Sequence, residues 1–542
     1  MRKVTLLICA GLLIVSAGIF SRLKAYDVVI KSGHIHDGSG SPSYVADIGI
    51  KNGRIKAIGN LEPDADVVID ANGLAVAPGF INMLSWANES LLADGKSQSD
   101  IRQGVTLEVM GEGWSMVPSP GKWDTLKEYL EYLVKKGVST NVASFIGATN
   151  ARVHAVGYED RPATPKELEQ MRIFVSKAMR EGALGVSSAL IYAPGFYATT
   201  NELTALAEVV ARYDGMYISH IRSEGNALIE ALDDFITITR NANVTAELYH
   251  MKVAGKSNWH KHDAMIEKIE KARAEGLKIT ANMYTYTAGL TGLNAAMPPW
   301  VQEGGHNAWV QRLRDPKIRK SLIIEMTTPT NKWENLFLLA GKPENVLLVE
   351  FKTARLKNFT GKTLAEVAKM RGKSPAETAM DLVIEDNSRI EAVYFLMSEE
   401  NVRKQIKLPW VSFCSDAASL APEGIFLTSN VHPRAYGSFA RLLGKYVRQE
   451  KLITLTEAIR RLTSLPAENL KLDRRGKLKK GYYADIVVFD PDTIIDHATY
   501  EKPHQYATGM IHVFVNGTQV LKNGKHTGAT PGRVVHGPGW KK

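Results

Sequence analysis

Four polar residues each follow a short apolar run: Glu112 after Leu107–Met110, His220 after Met216–Ser219, His250 after Ala246–Tyr249, and Asp416 after Val411–Ser415. Two imidazoles and one carboxylate from separate runs could converge on a divalent ion and leave a fourth position for water, the donor set of a catalytic zinc site. Asp416 would then serve as the base, taking a proton from the attacking water and passing it to a leaving nitrogen. The competing reading makes each of the four a hydrogen-bonded structural residue at the end of a strand. Two H-x-H pairs, His34 with His36 and His260 with His262, follow no such run; the first reads as a sheet-surface feature and the second as a polar loop before a helix. The chain has no G-x-S-x-G elbow and no phosphate-binding glycine loop, so serine-nucleophile and nucleotide chemistry find no support.

The elements that must position these residues alternate. Helical periodicity of three and four runs over Pro165–Arg180, Glu202–Tyr213, Ala227–Arg240 and Asp263–Glu275, and strand-like runs fall between them at Leu184–Ser188, Met216–Ser219, Ala246–Tyr249 and Lys278–Tyr284. Alternation sustained over this length predicts an α/β chain built on a parallel (β/α)8 barrel of the TIM type, in which chemistry sits where strands end and loops begin. Both ends of the chain follow a different pattern. Alternating runs flank Asn52-Gly53 near the start, and Asn516-Gly517 and Asn523-Gly524 near the end, which are hairpin signals. The expected organisation is therefore a composite β-sandwich from residues 26–76 and 474–528, a barrel over 77–473 with an insertion at about 293–345, and a tail over 529–542.

The composition agrees with a large globular core. Of 542 residues, 44% are hydrophobic and 23% charged, which excludes a disordered, collagenous or polytopic membrane chain. The 67 basic and 57 acidic residues give +10, but the excess is spread out and no nucleic-acid motif accompanies it. Two cysteines, Cys9 and Cys414, exclude a disulfide scaffold and a Cys-rich zinc module, so any metal must rest on histidine and carboxylate. At the start, Arg2 and Lys3 precede an apolar stretch from Thr5 to Phe20 that ends among small residues. Residues 1–25 read as a signal peptide, with an uncleaved membrane anchor as the alternative, and the mature chain is expected in the periplasm or outside the cell.

These residues carry a resemblance. The segments Tyr26–Ile30 with Asp37-Gly38, Ala77-Pro78-Gly79-Phe80-Ile81, Gly182–Gly185, Ser219-His220-Ile221-Arg222-Ser223-Glu224-Gly225, His250–Gly255, Tyr284–Gly289, Ser415-Asp416 and His432–Gly437 resemble the amidohydrolase superfamily, most closely its D-aminoacylase (N-acyl-D-amino-acid deacylase) branch. The resemblance spans nearly the whole mature chain. It departs from the family at two places: Leu84 and Trp86 stand where the family has a metal-binding H-x-H, with Asn82 for an aspartate, and Glu112 stands in the turn that carries the family's metal-binding cysteine. Glu112, His220, His250 and Asp416 together resemble the mononuclear set of the N-acetylglucosamine-6-phosphate deacetylase branch.

The resemblance implies a hydrolase of non-peptide C–N bonds that uses one zinc per chain and acts on an N-acyl amino acid or related amide. It also implies that Lys252 and Arg434 grip the substrate carboxylate, and that Tyr192 and Tyr286 line the pocket or polarise the carbonyl. Leu290 and Thr285 differ from the family at neighbouring positions, which leaves substrate choice open. Hydrolysis of a cyclic amide or a dipeptide, or a silent barrel retained for binding, are the alternative readings.

Overall fold

The structure is a computed structural model that describes residues 24–119 and 121–541. The expected export segment, Thr5–Phe20, lies outside the described residues. Among the described residues no helix is long and apolar enough to cross a membrane.

Eight parallel strands form a ring: Phe80–Ser85, Val105–Met110, Asn141–Ser144 continued by Ile146–Gly147, Gly185–Ala189, Met216–His220, Thr245–Leu248, Ile279–Met283 and Val411–Phe413. Each pairs in parallel with the next through the whole series. The eighth meets the first just beyond its end, where the Asp416 amide donates to Leu84 O at 2.9 Å and Ser85 bridges Ala417. This closes the (β/α)8 barrel read from the alternation. These four of its strands are buried along their lengths, between a filled interior and the helices outside, and carry buried polar residues such as Glu108 and Ser188 among the apolar ones.

Outer helices start on side-chain caps. Thr164 caps Pro165–Arg180 and Thr199 caps Thr200–Ala211, each with a reciprocal glutamate at the third position, an arrangement that contributes on the order of 1 kcal/mol per helix.

Both ends of the chain join in a nine-stranded sheet ordered by residue range as 525–526, 518–522, 510–515, 486–489, 75–78, 26–35, 44–51 and 54–59, with 65–70 branching from 26–35. Tyr26–Ile35 pairs with Ala65–Asp70 through its first half and with Ala75–Pro78 at its end, so the sheet divides there. Between the halves lies a separate apolar core that includes Ile30, Ile48, Ile69, Ile486 and Phe514. The composite β unit expected from the two ends is thus built as one branched, continuously bonded sheet around that core. Residues beyond it return to the barrel, where the Val142 and Val535 amides bond to Arg533 O and Val142 O.

The excursion between the seventh and eighth barrel strands is wider than residues 293–345. Ala288–Gly292 and Val346–Leu348 both pair antiparallel with Glu391–Phe395, which makes a three-stranded sheet over the barrel mouth. Strand order 288–292, 391–395, 346–348 joins segments a hundred residues apart, and no local periodicity announces that.

Candidate metal centre and active site

Glu112 sits in the turn after the second barrel strand, between Gly111 and Gly113. Both glycines have positive φ, +98° and +63°, and a Cβ on Gly113 would lie 2.6 Å from that of Ala189. Only glycine lets this turn pass so close to the fourth strand. The Gly113 amide donates to Ser187 Oγ at 3.0 Å, which ties the turn to that strand. His220 ends the fifth strand and His250 follows the sixth, its backbone held at φ +32° by a 2.8 Å bond from its amide to Asn282 Oδ1.

The three side chains converge. Glu112 Oε1 lies 3.2 Å from His220 Nδ1 and 2.8 Å from His250 Nε2, and all three donor atoms fall within 4.8 Å of one another. The imidazoles meet edge to face at 4.6 Å. All three residues are buried. Burial works against the charge on Glu112, but His250 and His220 hold its carboxyl well below the usual range. Burial and Lys252 push His250 down, whereas Glu112, Glu224 and Asp416 outweigh them and raise it to about 9. Two imidazole nitrogens and a carboxylate oxygen, packed this closely and electrostatically hungry for positive charge, fit a zinc ion with an open fourth position.

Asp416 stands across the cavity with φ +49°, a conformation held by its amide bond to Leu84 O. Its Oδ2 lies 2.6 Å from Arg434 Nη1, and its Oδ1 accepts from Trp86 Nε1 at 3.1 Å; the same indole N–H reaches Glu112 Oε2 at 3.1 Å. Burial pushes Asp416 above its ordinary value while Arg434 pulls the other way. Behind it Asn82 accepts from the Ser415 amide at 2.9 Å and donates to Ser415 Oγ at 2.8 Å.

Arg434 opens the helix Arg434–Arg441, is 2% exposed, and lies 4.6 Å over the Tyr284 ring. Its contact with Asp416 is an ion pair off the hydrogen-bond axis, so among the described residues its Nε and Nη1 have no hydrogen-bond partner. Lys252 donates to Glu224 Oε1 at 2.7 Å and lies 2.6 Å from His250 Nδ1. Tyr192 packs edge-on against His220 at 5.6 Å. All of these line a cavity of about 990 Å³ at the mouth of the barrel, with Leu420, Phe426 and Val431 on one apolar wall.

Of the residues singled out in the sequence, Glu112, His220, His250, Asp416, Lys252, Arg434 and Tyr192 meet in this cavity. Tyr286 does not. Its ring is buried outside the cavity, its hydroxyl donates to Asp496 Oδ2 at 3.2 Å, and Arg441 covers its face. Tyr284 lines the cavity in its place, and its position directly after Ile279–Met283 could have been read from the strand-end rule. Glu224, four residues beyond His220, was also missed: it reaches His250 Nδ1 at 3.1 Å, which orients that ring from behind, and its other oxygen lies 3.6 Å from His220 Nε2, too far for a hydrogen bond. Glu334, from the excursion, accepts from the Glu224 amide at 3.0 Å and from Ser223 Oγ at 2.6 Å, so the inserted segment buttresses that outer shell.

Comparison with known proteins gives the same lineage. The chain is 31% identical to the D-aminoacylase of Alcaligenes xylosoxydans xylosoxydans over 94% of this chain and 98% of that one. It is likewise 31% identical to the N-acyl-D-glutamate deacylase of the same organism, over 94% and 96%. The crystal structure of the Bordetella bronchiseptica N-acyl-D-glutamate deacylase, complexed with zinc and a phosphonate inhibitor, superposes with a TM-score of 0.80 at 28% identity and covers 94% of this chain and 99% of its own. A D-aminoacylase described by its binuclear metal centre, with one-metal activation and second-metal attenuation, superposes at 0.79 and 28%, over 94% and 100%. The amidohydrolase family model matches residues 67–521, and the chain therefore belongs to the amidohydrolase family.

Proposed function

We propose that this protein is a zinc-dependent deacylase of N-acyl amino acids, with one metal held by Glu112, His220 and His250. The convergence of those three donors within 4.8 Å, facing Asp416 across a cavity at the barrel mouth, carries the reading. A zinc ion in that position would polarise the amide carbonyl and acidify the attacking water. Asp416 accepts the proton of that water and returns it to the nitrogen of the departing amine, which leaves as a neutral amino group. Arg434 serves two partners: its Nη1 charge faces Asp416 and offsets part of the cost of burying that carboxylate, and its Nε, without a hydrogen-bond partner among the described residues, would donate to the substrate carboxylate. Glu224, itself fixed by the ammonium of Lys252, would accept from His250 Nδ1–H and so leave the Nε2 lone pair free for the metal. Tyr192 and Tyr284 wall the site against water.

The D configuration in the names of the relatives supports trying D substrates first. A panel of N-acetyl D- and L-amino acids, with dipeptides and cyclic amides beside them, tests the substrate class. Elemental analysis of the parent and Glu112→Ala tests the site: about one zinc per chain in the parent should fall close to zero in the variant. A parent that holds no zinc when supplied with it, and turns over nothing in the panel, would instead make this a silent binding barrel. The basic and then apolar start of the sequence supports export, with action in the periplasm or outside the cell. Recovery of the full-length chain from the cytoplasmic fraction alone would refute that.

A further inference from the structure

Trp86 stands between the two carboxylates on which the proposed chemistry depends. Its backbone is fixed at the end of the first barrel strand, at the entry to the helix Ala87–Ala93, and its amide donates to Ala417 O at 2.9 Å. From there the indole Nε1 reaches Glu112 Oε2 and Asp416 Oδ1, each at 3.1 Å. The other oxygens of both carboxylates are committed elsewhere: Glu112 Oε1 faces the two imidazoles and Asp416 Oδ2 faces Arg434. Oε2 and Oδ1 therefore form a second focus of negative charge beside the donors of the proposed zinc; both carboxylates are buried, while the indole between them is 39% exposed along the cavity wall. Two buried carboxylate oxygens aimed at one point repel each other unless something positive or proton-donating lies between them. That point is filled by one N–H.

We propose that Trp86 takes the place of a second metal ion, its indole N–H bridging Glu112 and Asp416 so that the site holds a single zinc and Asp416 stays turned toward the reacting water. This rests on the reading of Glu112, His220 and His250 as the metal centre. The substitution has a chemical consequence. A second divalent ion would bind Asp416 and take the lone pair needed for the proton, whereas a neutral N–H leaves each carboxylate oxygen a further lone pair. Trp86 is thus a positioning residue, and it removes the place where a second metal could attenuate the reaction, as the binuclear relative's description records for that protein.

Two variants separate bulk from hydrogen bonding. Trp86→Ala opens the space between the carboxylates; Trp86→Phe keeps a ring there and removes the donor. Each protein, stripped by chelation, is titrated with zinc by calorimetry, and bound metal is counted by elemental analysis. The parent and Trp86→Phe should saturate at one equivalent and Trp86→Ala at two. With the best N-acetyl amino acid of the panel, Trp86→Phe should lose about tenfold or more in kcat with KM within about twofold, the loss expected for one hydrogen bond to a charged group. Excess zinc should inhibit Trp86→Ala and leave the parent unaffected. Two equivalents in the parent, or one in Trp86→Ala, would overturn the replacement of a metal while leaving the first metal centre standing. Parental kcat in Trp86→Phe would overturn the positioning role. No zinc in the parent would sink the metal-centre reading itself, and this inference with it.

Discussion

Replacing Asp416 by asparagine removes the proposed proton acceptor without adding or deleting a heavy-atom position. The amide oxygen of the variant can still accept from Trp86, but its NH2 then faces Arg434 Nη1, which lies 2.6 Å from the carboxylate oxygen it replaces. Flipping the amide moves the clash to the indole N–H. Either way the side chain keeps its place and loses the lone pair that takes the proton. General base catalysis contributes roughly 10²- to 10⁴-fold, so kcat should fall by that factor, about 3 to 5 kcal/mol of transition-state stabilisation. Zinc should remain near one equivalent because Glu112, His220 and His250 are untouched, and that retention shows the site still folded. The pH profile gives a second reading. Burial raises Asp416 above its ordinary carboxylate range, so the activity of the parent should climb as pH rises through that elevated value, since only the ionised form can accept the proton. The variant should lack this limb. Initial rates on N-acetyl amino acids from pH 4 to 9, with metal analysis of the same samples, measure both. Activity within about threefold of the parent, or an unchanged acid limb, would refute the assignment of Asp416 as base.

Arg434→Lys replaces a fork by a point charge and cannot serve Asp416 and a substrate carboxylate together; KM for an N-acetyl amino acid should rise about tenfold while an N-acetyl amine without the carboxylate changes far less, and equal effects on both would count against carboxylate binding. Gly113→Ala should destabilise the protein by about 2 kcal/mol and weaken zinc binding, because a Cβ there meets Ala189 at 2.6 Å and φ is +63°; thermal unfolding with a zinc titration checks it. Burial, with Glu224 beside it, raises Glu334 to about 7 from an ordinary 4.5. The unfolded chain releases that proton near 4.5 and the folded one not until about 7, so rising pH across this window costs the folded state up to about 3 kcal/mol, with no further loss above it. Glu334→Gln should therefore gain stability relative to the parent between pH 5 and pH 8, and a constant difference across those values would contradict the shift.

The barrel and most of the residues of the candidate site were legible because both depend on local pattern. His220, His250 and Asp416 each end an apolar run, and a parallel barrel brings the ends of such runs to one mouth whatever the loops do. Glu112 was legible for the same reason, with glycines on either side that permit only a tight turn. What depends on pairing at long range was not. The three-stranded sheet over the mouth joins Ala288–Gly292 to Glu391–Phe395, and nothing local distinguishes that pairing from another. Tyr284 and Tyr286 lie two residues apart beyond the seventh strand, and only tertiary packing against Asp496 and Arg441 turns Tyr286 away. For Trp86 the sequence indicated lost imidazoles and gained bulk; its use as a donor to two carboxylates needed their positions.

Charge balance ties these residues into one device. On the floor of the cavity Glu112, Glu224 and Asp416 face Lys252 and Arg434, three carboxylates against two cations, with the imidazoles able to take up the difference. The elevation of His250 to about 9 expresses that imbalance: the carboxylates around it demand one more positive charge than the side chains supply. A protonated imidazole answers the demand but cannot donate a lone pair, so a divalent ion that displaces the proton leaves the floor with one positive charge in excess. With these five groups and one zinc as proposed, a single substrate carboxylate would bring the sum to zero, in keeping with an N-acyl amino acid as substrate. The same sum gives the indole of Trp86 its significance. A second divalent ion would leave that sum three charges positive, hold Asp416 as a ligand and deprive it of its basicity, whereas the neutral N–H of Trp86 bridges the same two oxygens and leaves the sum unchanged.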